Sequence, residues 1–435
     1  MMEPDKCCDS GCTPCERDLD GKEPFDLCNY IGGEFVCHSG GEWMNVLEPA
    51  TGHRFARVPL STAHDVDTAV TAAREAQPAW GALSISQRAD WLDKIAEVLE
   101  SRYEDIASLE SRDTGKPISL ARAVDAHRSV ANFRFFADLL REQEQGVFEM
   151  SDATNYVVHK PVGVGALITP WNLPLYLLSW KVAPAIGMGN SVVCKPSELT
   201  PMTADLLMQV IHDVGLPAGV VNLVHGDGVG AGAPLVTHDD VDLVSFTGGT
   251  DTGQKVAASA APSFKKLSLE LGGKNASIVF ADCDMESTVA GVVRAGFLNQ
   301  GQVCLCGSQV LVEDSIYEEF RDRFVDAVEA MRVGNPSDES TDLGALISSE
   351  HLEKVRGYVN LAKEGGGVLL TGGSPCMPAG FEHGNWMAPT VIEGLSPDSR
   401  CSTEEIFGPV VTLHRFSSEE EAVAIANNTR YGLAG

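Results

Sequence analysis

The sequence predicts an α/β protein of two domains, each built on a mostly parallel sheet. Length is the first reason: 435 residues exceed what one compact core usually holds, so two or more domains are expected. The second is that short apolar runs in the middle of the chain alternate with stretches of helix length, the pattern of right-handed βαβ units. Third, a new alternating series starts at Ala276-Ser277-Ile278-Val279-Phe280 and runs to the end, placing the junction near residue 272.

Residues 1–25 are polar, acidic and without periodicity, which predicts an unstructured extension. Cys7, Cys8, Cys12 and Cys15 cluster there, with Cys12 and Cys15 forming a CxxC. That spacing could bind a metal, but no second CxxC or His pair completes four ligands, so free thiols and no metal site are expected. From Asp65, Val66, Ala69, Val70 and Ala73 recur at helical spacing up to Pro78. A second helix is predicted from about Ser86 to Arg112, with Ile95, Val98, Leu99, Ile106 and Leu109 on one face. It stops at Thr114-Gly115-Lys116-Pro117. Strands are predicted at Val162 to Ile168, Ser191 to Lys195, Val220 to Val224 and Val241 to Thr247, with a helix from about Pro201 to Val214.

The 61 acidic residues against 32 basic ones give a net charge of -29, which disfavours nucleic acid as a partner. An anionic small substrate would need a local cationic pocket. No segment has the pattern of a secretion or import signal, and no apolar run reaches membrane-spanning length, so a soluble, cytoplasmic protein without a membrane partner is expected.

Five stretches carry candidate chemistry. Phe297-Leu298-Asn299-Gln300-Gly301-Gln302-Val303-Cys304 places a Gly-Gln pair before a cysteine, either a nucleophile or a structural thiol, and Cys306 has the same compositional claim. Leu269-Glu270-Leu271-Gly272-Gly273 ends a strand with a carboxylate, a general base for water or a surface charge. In Pro170-Trp171-Asn172-Leu173-Pro174 the Asn172 amide is an oxyanion donor or a turn residue. Lys195-Pro196-Ser197-Glu198 closes a strand where open α/β sheets bind ligands; Lys195 and Glu198 suit ribose hydroxyls, or form a solvated pair. Phe246-Thr247-Gly248-Gly249-Thr250-Asp251-Thr252-Gly253 is a strand, turn and helix start that can hold a pyrophosphate, or an ordinary turn. Gly226-Asp227-Gly228-Val229-Gly230-Ala231 matches G-x-G-x-x-[GA] literally, but no clear helix follows at once. It is expected to be a loop on the adenine side of a cofactor.

These five motifs in this order, with Glu404-Glu405-Ile406-Phe407-Gly408-Pro409-Val410 as a sixth, resemble the aldehyde dehydrogenase superfamily over residues 30–435. The resemblance implies a Rossmann-type NAD domain (26–142 and 161–272), an oligomerisation hairpin (143–160) and an α/β catalytic domain (273–435). It implies Cys304 as nucleophile, Glu270 as general base, and Asn172 with the Cys304 backbone N–H as oxyanion donors. Lys195 and Glu198 would hold the adenosine ribose, Gly248 and Gly249 the pyrophosphate, and Glu405 and Phe407 the nicotinamide ribose and ring. Ile168, Thr169, Trp171, Gly228 and Gly253 complete the implied cofactor contacts.

Within the superfamily, Asn172 to Lys181, Val303-Cys304-Leu305-Cys306 and Asn132 to Ala137 are most similar to the 2-aminomuconate and 2-hydroxymuconate semialdehyde dehydrogenases. That likeness implies a carboxylated aldehyde held by Arg128, although Ala126-His127 stands where that branch usually has Ile-Pro. Betaine-type or aliphatic aldehydes are the alternatives. Family members continue beyond Gly435, so a truncated chain is expected to expose the hairpin near Asn155 to Val158 and to work poorly, while the longer form is a homodimer or homotetramer. Glu270 argues against CoA-acylating chemistry, which needs no base for water. A catalytically impaired binding or structural protein is the remaining alternative.

Overall fold

The structure is a computed structural model that describes residues 25–37, 41–142 and 146–435. The four tail cysteines and the predicted extension before Phe25 lie outside the described residues.

Two sheets organise the chain. The larger runs, in spatial order, Lys266–Glu270, Leu243–Thr247, Val164–Ile168, Ser191–Lys195, Val221–Leu223, Asn29–Ile31 and Glu34–Val36. The first five strands are parallel and the last two add an antiparallel hairpin. Cys28 and Cys37, which flank this hairpin, are joined by a disulfide. Parallel strands are covered on both faces, so Val164–Ile168 and Ser191–Lys195 are buried throughout. The second sheet runs Ala276–Val279, Gln309–Glu313, Val410–Phe416, Thr390–Glu393 and Val368–Thr371, antiparallel only at its last strand. Val147–Glu149 pairs with Thr154–Tyr156 in a separate two-stranded ribbon, exposing Val147, Phe148 and Tyr156. Among the described residues no helix is long and apolar enough to cross a membrane.

Four local expectations need correction. Phe25, read as the end of the extension, pairs with Ala56 in a short parallel strand. The helix expected from Ser86 to Arg112 is two helices, Ile85–Ser101 and Tyr103–Thr114. Arg102 leaves helical geometry between them (φ -107°, ψ 23°), and its guanidinium bonds Asp105 and Gln209. Pro78 does not end the first helix, which spans Ala63–Gly81; a proline this close to the end removes only one late rung, and the Pro78 carbonyl still accepts from Ala82. The Gly226-Asp227-Gly228 stretch leads directly into a π-helical turn, Gly228–Gly232, and then Ala233–Thr237. Asp227 starts that turn by accepting from the Val229 and Gly230 N–H groups, a side-chain cap that the glycine spacing conceals.

The largest core packs helices Ile85–Ser101, His127–Glu142 and Pro174–Gly187 against the buried face of the first sheet. Phe133 is wholly buried there with Leu92 and Leu178. Phe133→Ala is expected to destabilise the fold by about 3–5 kcal/mol, read as a lower urea midpoint with an unchanged slope.

Candidate active site

The parallel strands deliver their last residues to one edge of the sheet. Ile168 lies opposite Lys195 in one pair and opposite Phe246 in another, while Thr247 lies opposite Glu270. The segments that follow, 169–173, 196–201, 248–250 and 271–275, therefore emerge together. Chain turns after strands are where such sheets leave room for ligands.

Asn172 meets the cysteine segment here. Its Nδ2 donates to the Gln302 carbonyl at 2.9 Å, while Asn299 Nδ2 donates to the Asn172 carbonyl at 3.0 Å. An amide has two N–H groups, so one of Asn172 is not used by Gln302. Asn299, Gln300 and Gly301 are three consecutive left-handed residues (φ 52°, 57° and 69°). Such conformations cost about 1–3 kcal/mol at a non-glycine residue and persist only when the surroundings impose them. Those surroundings are visible: Gln300 Nε2 donates to the Ala345 carbonyl, Gln302 Oε1 accepts from Ile347, and Asn275 Nδ2 donates to the Cys304 and Cys306 carbonyls. Gly301 is required, because a Cβ would fall 2.1 Å from the Gly408 oxygen.

This loop places Cys304 at a cavity of about 270 Å³ lined also by Trp171, Asn172, Gly248, Gly249, Glu405 and Phe407. Cys304 is partly exposed, whereas Cys306 is buried and its thiol is pushed by burial up to about 12. Geometry thus separates two cysteines that composition could not. Burial pushes the Cys304 thiol up, as do the Glu405 and Glu270 charges, while the backbone N–H groups of Cys304 and Leu305 favour the thiolate. Glu270 is exposed at its strand end and is not among the cavity-lining residues. Its charge reaches Lys181, whose ammonium burial pushes down to about 8 and whose Nζ donates to Ser245 at 2.8 Å.

The other expected residues divide into two groups. Trp171 and Phe407 form an aromatic trio with His351, a residue not expected from the sequence, at centroid separations of 5.2–6.1 Å. Phe407 is left-handed (φ 62°), and its carbonyl lies 2.6 Å from His351 Nε2. Burial pushes His351 down to about 4, so at neutral pH the ring is uncharged and its Nε2–H donates to that carbonyl. Glu405 accepts from the Gly273 N–H at 3.2 Å. Away from the cavity, Lys195 Nζ pairs with Glu198 at 3.3 Å and donates to Pro196 O; Gly232 of the π-helical turn packs beside it. Gly228 faces open space, and Gly253 packs against the Leu271 methyl groups, which a Cβ there would push aside. Arg128 does not line the cavity. It lies over the Tyr176 ring at 5.3 Å, with a guanidinium nitrogen 3.4 Å from the hydroxyl.

The turn at Gly248-Gly249 fits a phosphate-bearing cofactor. Helix Thr250–Ala260 begins at Gly249 without a side-chain cap, and nothing lies within 4 Å of a Cβ built there. The buried hydroxyls of Thr169, Thr247 and Thr250 have no hydrogen-bond partner among the described residues. Open N–H groups, a bare approach and unpartnered hydroxyls suit anionic oxygens. Sequence reasoning missed His351, Lys354 and Lys181. The first two lie in helix Ser349–Glu364, whose spacing carries no motif. Lys181 was visible only as a helix lysine; its burial arises from packing against Ser245.

Because Glu405 raises the Cys304 thiol, removing that charge must lower it. In Glu405→Gln the pH midpoint for iodoacetamide labelling of the Cys304 peptide should move to lower pH. An unchanged midpoint would show that the carboxylate does not act on the thiol.

Residues 35–435 match the aldehyde dehydrogenase family. The 2-aminomuconic semialdehyde dehydrogenase of Danio rerio is 48% identical over 413 residues, 94% of this chain and 84% of that protein. The 2-hydroxymuconic semialdehyde dehydrogenase of Pseudomonas sp. (strain CF600) is 45% identical over 417 residues, covering 94% and 86%. A crystal structure of betaine aldehyde dehydrogenase from Staphylococcus aureus in complex with NAD+ superimposes with a TM-score of 0.90 at 36% identity, covering 93% of this chain and 81% of that one. Shared sequence over nearly the whole chain and a shared fold lead to one conclusion: this chain belongs to the aldehyde dehydrogenase family.

Proposed function

We propose that the protein is an NAD-dependent aldehyde dehydrogenase that oxidises a muconate-type semialdehyde to its acid through a thioester on Cys304. The observation that carries the reading is the convergence of Cys304, Asn172 and Glu405 on one cavity beside a bare helix start. Lys195 and Glu198 would hold the adenosine ribose, the Gly248-Gly249 turn the pyrophosphate, and Glu405 and Phe407 the nicotinamide end. When bound, NAD accepts the hydride.

The remaining chemistry belongs to the chain. The Cys304 thiol gives up its proton to solvent and Sγ adds to the aldehyde carbon as the thiolate, and the backbone N–H of Cys304 with the second N–H of Asn172 stabilises the oxyanion, about 3 kcal/mol for one such donor. Loss of hydride leaves the acyl group on Sγ. Glu270 then takes a proton from water, the resulting hydroxide attacks the thioester, Cys304 leaves as the thiolate with the acid, and Glu270 passes its proton to solvent. The solvent exposure of Glu270 supports this role, since water must reach the base.

The substrate class rests on the names of the relatives at 44–48% identity and on Arg128 beside Tyr176. In a protein of net charge -29, a cation near the start of helix Pro174–Gly187 is a suitable partner for a substrate carboxylate. We further propose a cytoplasmic homodimer or homotetramer that uses the exposed ribbon around Phe148 and Tyr156.

Cys304→Ala should abolish NADH formation while NAD binding persists, and Glu270→Gln should give about one equivalent of NADH as a burst followed by stalled turnover. Activity surviving in Cys304→Ala, or unchanged steady-state turnover in Glu270→Gln, would refute the roles. Arg128→Met should raise KM at least about tenfold for 2-hydroxymuconate semialdehyde, the loss of one charge-assisted contact, and leave propanal oxidation nearly unchanged. Equal effects on both substrates would remove Arg128 from carboxylate recognition.

A further inference from the structure

Helix Tyr103–Thr114 and the turn after it carry a set of charges that take no part in the chemistry above. Glu110, Asp113, Lys116 and Asp125 are each completely buried. Lys116 Nζ lies 2.8 Å from Asp125 and 3.8 Å from Glu110, so two carboxyl groups flank the ammonium, and Asp113 is near enough to feel its charge. Burial raises all three carboxyl groups above their usual range.

The hydrogen bonds of two of them share a pattern. Glu110 Oε1 accepts from the Leu175 N–H at 2.9 Å and from Thr203 Oγ1 at 2.7 Å. Asp113 Oδ2 accepts from the Met202 N–H at 3.0 Å. Leu175 lies in the first turn of helix Pro174–Gly187, and Met202 opens helix Met202–Asp213. Neither helix has a side-chain cap of its own, since Leu173 and Pro201 occupy the cap positions. The first helix follows directly on Asn172, the second on the segment of Lys195 and Glu198. One helix thus supplies, one turn apart, the caps for two helices whose leading loops form opposite ends of the site. The following turn reaches the third loop: Gly115 O accepts from the Ala345 N–H, and the Ala345 carbonyl accepts from Gln300 of the cysteine loop.

We infer that Glu110 and Asp113 are positioning residues for the reaction, Glu110 fixing the loop of Asn172 and Asp113 fixing the loop of Lys195 and Glu198, by capping the helices that follow these loops. The inference rests on the roles proposed above for those three residues. A cap replaced by water leaves the helix start free to shift, and small displacements of a reacting group carry large rate costs. Glu110 also accepts from Thr203 of the second helix, but the start of that helix keeps the Asp113 cap when Glu110 is lost, so the two carboxyl groups have separable consequences. Loss of the Glu110 cap falls on the acylation step, and loss of the Asp113 cap falls on cofactor affinity.

The test uses the whole chain, with NAD and propanal as probes. Glu110→Ala should slow the NADH burst per active site at least about tenfold at saturating NAD, with the Kd for NAD, read by tryptophan fluorescence, changed much less. Asp113→Ala should raise that Kd at least about tenfold, with a smaller change in the burst rate. Glu110→Gln and Asp113→Asn keep an acceptor oxygen and should restore most of each loss. If Glu110→Ala does not fold, Thr203→Val, which removes the other anchor of the carboxylate, should still slow the burst. Lower melting temperatures and smaller burst amplitudes, with unchanged rate per site and unchanged Kd, would mean a purely structural cluster and overturn the inference. Asn172→Ala separates the two levels. If it leaves the burst rate intact, the proposed role of Asn172 is wrong; if it slows the burst while Glu110→Ala does not, the positioning role is wrong.

Discussion

The parallel register of the first sheet is the constraint on which the rest of the site depends. Hydrogen bonding between Val164–Ile168, Ser191–Lys195, Leu243–Thr247 and Lys266–Glu270 fixes which residue ends each strand relative to its neighbour. A slip of one residue would turn every side chain to the other face. With Val193, Ala166 and Val244 packed on one side and Leu167, Val192 and Cys194 on the other, such a slip would leave the helix faces above and below mismatched. The register therefore follows from apolar packing, and the alignment of Thr169, Lys195, Thr247 and Glu270 at one edge is its consequence.

The cysteine loop is held by a different means. No strand register imposes left-handed geometry on Asn299 and Gln300; amide side chains do. Asn275, Asn299, Gln300 and Gln302 each bond backbone atoms at another point of the loop or its neighbours. Amides suit this purpose because they donate and accept without carrying charge into a buried place. The arrangement also joins the two sheets, because Asn172 follows a strand of the first and Gln309 after the loop begins a strand of the second.

What was legible in the sequence follows this division. The strand Ser191–Lys195 has the predicted bounds, and the helix expected over Pro201 to Val214 is Met202–Asp213, because continuous apolar runs and helical spacing record burial directly. The break at Arg102 was not legible. Ile106 and Leu109 continue the apolar spacing across it, and one partner of the Arg102 side chain at the break is Gln209, over a hundred residues away. Composition gave Cys304 and Cys306 the same claim; the resemblance to the family favoured Cys304, and their unequal burial supplies the physical reason. His351 and Lys354 left no signal, since their helix looks like an ordinary amphipathic one and its approach to Phe407 is tertiary.

The buried charges between helix Tyr103–Thr114 and residue 125 belong to the part that no spacing announces, and their energetics ask for a reason. Ionised groups taken out of water lose several kcal/mol each, roughly, and burial accordingly shifts the three carboxyl groups beside Lys116 toward their neutral forms. One oxygen each of Glu110, Asp113 and Asp125 even has no hydrogen-bond partner among the described residues. Apolar residues of equal volume would pack the same space at no such cost. What they could not do is accept hydrogen bonds from Leu175 and Met202. The first N–H groups of a helix have no partner within it and, once buried, require one from elsewhere. In most helices a residue at the cap meets that need, as Ser84 does for Ile85–Ser101. Where Leu173 and Pro201 stand at the cap, the need passes to a distant helix, and with it passes control over where the two preceding loops lie.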